Sequence, residues 1–151
     1  MEQNELMVTE AAYIPDEKKM MDSILSGQDY SYCSIHPESM EDRARLYNIK
    51  NSSPLRLKDY VNKTLYIADV FIQPVVCKKD DGTEELAPRI VLIDKNSQGY
   101  ACVSFGILGS VKSLMRDFGE PTWKTPLPIV PLLKSKGDRS FLTVELDMKA
   151  F

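Results

Sequence analysis

Three groups of residues in this chain have types and spacing that could do chemistry. Lys134, Lys136 and Arg139 crowd around Gly137 in one short polar stretch, KSKGDR. Cations at that density suit a run of phosphates, because each contact releases a condensed counterion. A second group interleaves aromatic rings (Tyr66, Phe71, Tyr100, Phe105 and Trp123) with further cations at Arg89, Lys95, Lys112 and Lys124. Flat rings take unpaired bases by stacking, and the cations track the backbone. The third group is acidic: Asp69, Asp80, Asp81 and Asp94. Carboxylates hydrolyse phosphodiesters only when several converge on a divalent metal from separate elements.

The catalytic readings find little support. A single histidine leaves no Ser-His-Asp arrangement, and no P-loop, GxGxxG, HExxH or GxSxG is present. Asp80 and Asp81 sit in a polar loop and read as a solvated turn, while nothing in the sequence brings Asp69 to Asp94. Cys33 and His36 form a C-x-x-H pair, but a zinc site usually takes four ligands and no second pair exists. No metal or other cofactor is expected, and no enzyme activity. Three scattered cysteines are too few for a disulfide framework, so Cys77 and Cys102 read as small buried hydrophobes.

The aromatic residues divide on the same reasoning. Phe71, Phe105 and Phe118 are expected in the core, where aromatic burial usually goes. Tyr100 opens a strand beside a polar turn and suits either role. Trp123, between Pro121 and Lys124, could stack on a base or cap the core, the cap being the simpler reading. The nucleic-acid set that remains in view is Tyr66, Arg89, Lys95, Tyr100, Lys112, Trp123, Lys124, Lys134, Lys136 and Arg139.

The elements that must position these residues centre on Pro88 to Trp123. Arg89–Asp94 and Tyr100–Phe105 are rich in β-branched and aromatic residues around the polar loop KNSQG, which suits a hairpin with Gly99 as its permissive residue. The period then changes: Ile107, Leu108, Val111, Leu114, Met115 and Phe118 form one stripe of a helix, with Gly119 and Pro121 as its stop. Thr64–Cys77 upstream and Leu127–Leu133 and Ser140–Asp147 downstream read as strands. In the first of these Tyr66, Ala68, Val70 and Ile72 share one face by strict alternation, and Pro74 marks a bulge or an edge. The order predicts a mainly β fold: an OB-fold, a five-stranded Greek-key barrel with one helix between strands three and four.

Ser52-Ser53-Pro54 divides the chain into an acidic N-terminal extension with short helices (residues 1–54) and the barrel (residues 55–151). Pro15–Leu25 reads as a short helix packed on the barrel, and Glu38–Tyr47 is helix-compatible with Leu46 as its clearest apolar anchor. The overall charge is −3. It is uneven: residues 1–50 hold 10 acidic and 5 basic residues, and residues 51–151 hold 12 acidic and 14 basic. A nucleic-acid site therefore belongs on the barrel. No apolar run approaches the roughly 20 residues of a membrane span, and the acidic N-terminus lacks the features of a signal peptide. The cytoplasm is the expected location.

The stretch PRIVLIDKNSQGYACVSFGILGSVKSLMRDFGEPTW, followed by KSKGDRSFLTVEL, resembles small single-stranded DNA-binding proteins of bacteriophage replication modules. The likeness rests on Tyr100, Ser104, Phe118, Gly119, Pro121, Lys136, Gly137 and Arg139, and spans roughly residues 55–147. It implies an OB-fold that coats single-stranded DNA during phage replication or recombination. Partners would be that DNA, replication or recombination proteins docked on the acidic N-terminal segment, and further copies of the chain. Two other readings are a protein-interaction module acting on a host or replication enzyme, and a metal-dependent nuclease.

Overall fold

The computed structural model describes residues 31–52 and 55–151; the helix expected over Pro15–Leu25 lies outside them. Its elements run β1 (Tyr32–Cys33), α1 (Met40–Asn51), β2 (Leu55–Arg56), β3 (Leu65–Lys78), β4 (Glu84–Asp94), β5 (Gly99–Val103), α2 (Phe105–Phe118), β6 (Leu127–Lys136) and β7 (Arg139–Leu146). The strands form one curled sheet in the order β2-β5-β4-β3-β6-β7, with β1 also paired to β3. Every pairing is antiparallel except β2 with β5. The chain is mainly β and OB-like. Among the described residues no ladder joins β5 to β7, so the sheet remains an open half-barrel.

The gap between those edges is filled by α2. Ser104 begins the helix, its hydroxyl accepting from the Ile107 amide at 3.1 Å, the usual role of serine at that position. Ile107, Leu108 and Val111 are buried, and Leu114 and Met115 pack against the same core. Phe118, expected on this stripe, is instead 44% exposed at the last turn. The helix also lies along the free edge of β7. The Val144 amide donates to Ser110 Oγ at 3.3 Å, and that hydroxyl lies 2.9 Å from Thr143 Oγ1. Gly106 approaches so closely that a Cβ there would lie 2.2 Å from the Leu142 carbonyl oxygen. One strand-edge amide is thus satisfied by a serine where a neighbouring strand would otherwise serve it.

In β3 strict alternation fails at a bulge. The register shifts between Ile67 and Asp69, so Leu65, Ile67, Val70 and Ile72 all join the main core. One extra residue moves everything after it to the opposite face. The spare carbonyl of Ala68 accepts from the Trp123 amide at 2.9 Å. Pro74 stands opposite Pro88 beyond the β1 pairing, where its missing N–H leaves no ladder bond unmade.

The second face of the sheet carries a smaller cluster. Phe71, Val91 and Ile93 are covered by Cys33, Ile35 and Ile49. The stretch expected to be an extension contributes β1 to the same sheet, and α1 packs on this second face. Leu46 is buried on α1, whereas Met40 and Tyr47 are exposed. Ser34 clasps this segment to β3: its amide donates to Val70 O at 3.0 Å, and its hydroxyl accepts from the Val70 amide at 2.9 Å and donates to Asp69 at 2.8 Å. Gly99 serves the same cover. A Cβ there would lie 2.9 Å from Val91 Cγ1 and 3.2 Å from Ile49 Cγ2, so its role is close packing. The positive φ of that hairpin belongs to Ser97.

Candidate nucleic-acid interface

Two double-stranded ribbons extend beyond the central sheet. β6 pairs with β3 only through Leu127–Ile129; past that point β6 and β7 continue as a pair to the turn at Gly137. Similarly, β5 pairs with β4 only as far as Arg89, and Pro74–Lys78 runs on with Glu84–Pro88. In the first ribbon the polar stretch expected to be a loop is strand up to Lys136 and again from Arg139. Gly137, at φ +63, allows the chain to reverse in two residues.

Register decides which side chains share a face, because directly opposed residues point the same way. On one face of the β6–β7 ribbon lie Lys136 opposite Arg139, Lys134 opposite Phe141, and Val130 opposite Glu145. The other face carries Leu142, Val144 and Leu146, which pack against the core. The cations therefore project into solvent. Lys134 makes an ion pair with Glu145 at 3.4 Å. Lys136 and Arg139 are exposed, with no carboxylate partner among the described residues. The β3–β4 tip has the opposite balance: Lys78 and Lys79 against Asp80, Asp81, Glu84 and Glu85. Lys79 is paired to Glu85 at 3.4 Å. The Thr83 hydroxyl and amide donate to Asp81, holding its carboxyl below the ordinary range.

The remaining candidates are spread over the fold. Tyr66, on β3, is 38% exposed, and the Lys95 ammonium sits 4.6 Å from its ring centroid. These two form a second aromatic–cation pair in contact with solvent. Arg89 lies half-buried on β4 and donates to Gln73 at 3.1 Å. Lys112 is half-buried on α2, and Lys124 is exposed in the loop before β6.

Tyr100 is 7% exposed. Its ring meets Tyr60 edge-on at 4.9 Å, and its hydroxyl donates to Asp94 at 3.0 Å. Burial, reinforced by the Asp94 carboxylate, pushes its phenol up to about 12. Trp123 is 6% exposed, and its indole N–H donates to Gly119 O at 2.9 Å. Neither ring presents a face to solvent on which a base could lie. Phe141 is different. It is 42% exposed beside the cations, and it was missed in the sequence because its partner Lys134 appears only once the two-residue turn is known.

The acidic residues have local roles. Asp94 caps its own turn, accepting from the amides of Asn96 at 2.8 Å and Gln98 at 2.9 Å as well as from Tyr100. Asp69 accepts from Ser34 and from the Thr122 hydroxyl. No three His, Cys, Asp or Glu residues converge among the described residues. Burial raises the Cys102 thiol to about 12, with Arg89 opposing it weakly. Such a thiol is a poor nucleophile. Among the described residues no helix is long and apolar enough to cross a membrane.

An OB-like sheet with a solvent-facing basic ribbon is an arrangement shared by many small nucleic-acid-binding proteins. Comparison with protein families is more specific. The Phi29-type family, described as phage single-stranded DNA-binding protein, matches residues 27–147. The chain belongs to that family. Comparisons with curated proteins and with solved structures gave no significant match.

Proposed function

We propose that this protein binds single-stranded DNA without strong sequence preference and acts in phage DNA replication and recombination, in the host cytoplasm, without catalysing a reaction. Membership of the phage single-stranded DNA-binding family over residues 27–147 carries the reading. The β6–β7 ribbon supports it: Lys134, Lys136 and Arg139 on one face can follow a phosphate backbone at any sequence. Tyr66 with Lys95 is a second contact point, and Arg89, Lys112 and Lys124 are secondary cations. Tyr100 and Trp123 belong to the scaffold in this reading.

The five long strands correspond in this reading to those of an OB barrel, with α2 standing in for the pairing that would close it. Residues 31–51 cover the part of the sheet around Phe71, Val91 and Ile93. A strand of DNA would then follow the β6–β7 ribbon and the uncovered row Gln73–Arg89–Val103. The test is anisotropy of labelled oligo-dT and of a duplex, titrated at low and at high salt. Preference for the single strand, weakening steeply with salt, is the expected result. Absence of single-strand binding at low salt would end this reading.

A further inference from the structure

We propose that Phe141 is a base-stacking platform, so that the β6–β7 ribbon holds a nucleotide by its base as well as by its phosphate. This rests on the single-strand-binding reading above and adds a site to it. Three observations converge on the residue. Its ring is 42% exposed on β7, while the next residue, Leu142, turns inward and packs against the core. Burial therefore does not account for a phenyl group at this position. It stands directly opposite Lys134, on the same face as the Lys136–Arg139 pair nearer the turn. The ribbon has no third strand here, so the ring lies on an open two-stranded surface that a single strand can cross.

The chemistry follows from that placement. Lys136 and Arg139 are free to hold phosphates, and a base attached to a neighbouring sugar can lie on the ring without any hydrogen-bond code. A phenyl group has no donor or acceptor, so it accepts any base. A duplex keeps its bases stacked inside and offers this ring nothing. The same ribbon thus supplies affinity through its cations and preference for unpaired strands through Phe141.

Phe141→Ala, measured against oligo-dT and against an abasic oligonucleotide of the same length, tests the proposal. The expected result is about a tenfold loss on oligo-dT and little change on the abasic strand. Phe141→Tyr should retain the wild-type affinity. Phe141→Trp should gain emission that oligo-dT quenches above the constant background of buried Trp123. Equal losses on the two oligonucleotides would overturn the proposal, since the ring would then serve the ribbon's shape. So would an unchanged affinity of Phe141→Ala for oligo-dT together with unquenched emission from the indole introduced by Phe141→Trp. In both cases wild-type binding to oligo-dT would leave the single-strand reading standing. A wild-type protein that fails to bind oligo-dT at low salt would remove that reading and Phe141's role with it.

Discussion

The β3–β4 and β6–β7 ribbons are built alike and charged oppositely. Each is a pair of strands that outruns its neighbours and ends in a tight turn with a positive-φ glycine, Gly82 in one and Gly137 in the other. The first carries four carboxylates against two lysines at its tip; the second carries three cations against Asp138. A polyanion is expected to be attracted to one of these ends and repelled by the other. The net charge of −3 conceals this, because affinity for phosphates depends on local charge within about 10 Å at ordinary salt. The lesson is that a weakly acidic chain can still present a basic surface, provided strand register gathers its cations on one face.

The largest effect expected comes from removing that asymmetry. Changing Lys134, Lys136 and Arg139 together to Ala should reduce affinity for oligo-dT on the order of 100-fold at low salt and lower the salt slope by about 2. Neutralising the other tip with Asp80→Asn, Asp81→Asn and Glu84→Gln should change affinity by less than about threefold. Equal effects from the two ribbons would break the comparison.

Next comes the seat of the basic ribbon. Gly106→Ala drives a Cβ against the Leu142 carbonyl, backbone that cannot swing aside. A loss of about 1–3 kcal/mol is expected, seen as a lower Tm in thermal unfolding, with binding intact well below the transition. An unchanged Tm would mean that α2 does not brace β7.

Buried Tyr100 and half-buried Cys102 answer to pH in a separate window. Both Tyr100 and Cys102 are raised to about 12 from ordinary values of 10 and 9. Their neutral forms are favoured in the fold, so this stability is complete below about pH 9 and is lost as pH rises toward 12. Denaturant unfolding between pH 8 and 12 should show the loss, and Tyr100→Phe should remove the part that begins near pH 10. A smaller change is expected from Glu145→Gln. It frees Lys134 from its 3.4 Å pair and should raise affinity a few-fold at low salt, because an exposed pair of this kind is worth little to the fold. Smallest of all, Trp123 emission should hardly move on oligo-dT binding, its ring being buried. Strong quenching would mean that binding disturbs the core around Trp123.

How much was legible beforehand differs from element to element. The apolar stripe of α2 was readable at Ile107, Leu108 and Val111 because helical periodicity is local, and it misled at Phe118 because the helix outruns the core it lies on. The strands were readable from β-branched runs, but the ends of β6 and β7 were not. KSKGDR is polar throughout, and only its pairing makes it a ribbon. The stretch 31–51 was the least legible, because only two short runs, Cys33–Ile35 and Leu46–Ile49, carry its attachment.

Composition and order along the chain determined the rest: a mainly β protein, one amphipathic helix, a mildly basic stretch after the acidic N-terminal third and a cluster of cations around Gly137. These depend on neighbours a few residues apart, which a sequence displays directly. Tertiary structure alone decided which aromatic rings face water. Tyr100 and Trp123 are interior and Tyr66 and Phe141 exterior. The choice turns on the bulge after Ile67, the two-residue turn at Gly137 and the cover that α1 lays over the sheet. A shift of one residue in a strand exchanges its two faces, and register is settled by partners far away in the chain.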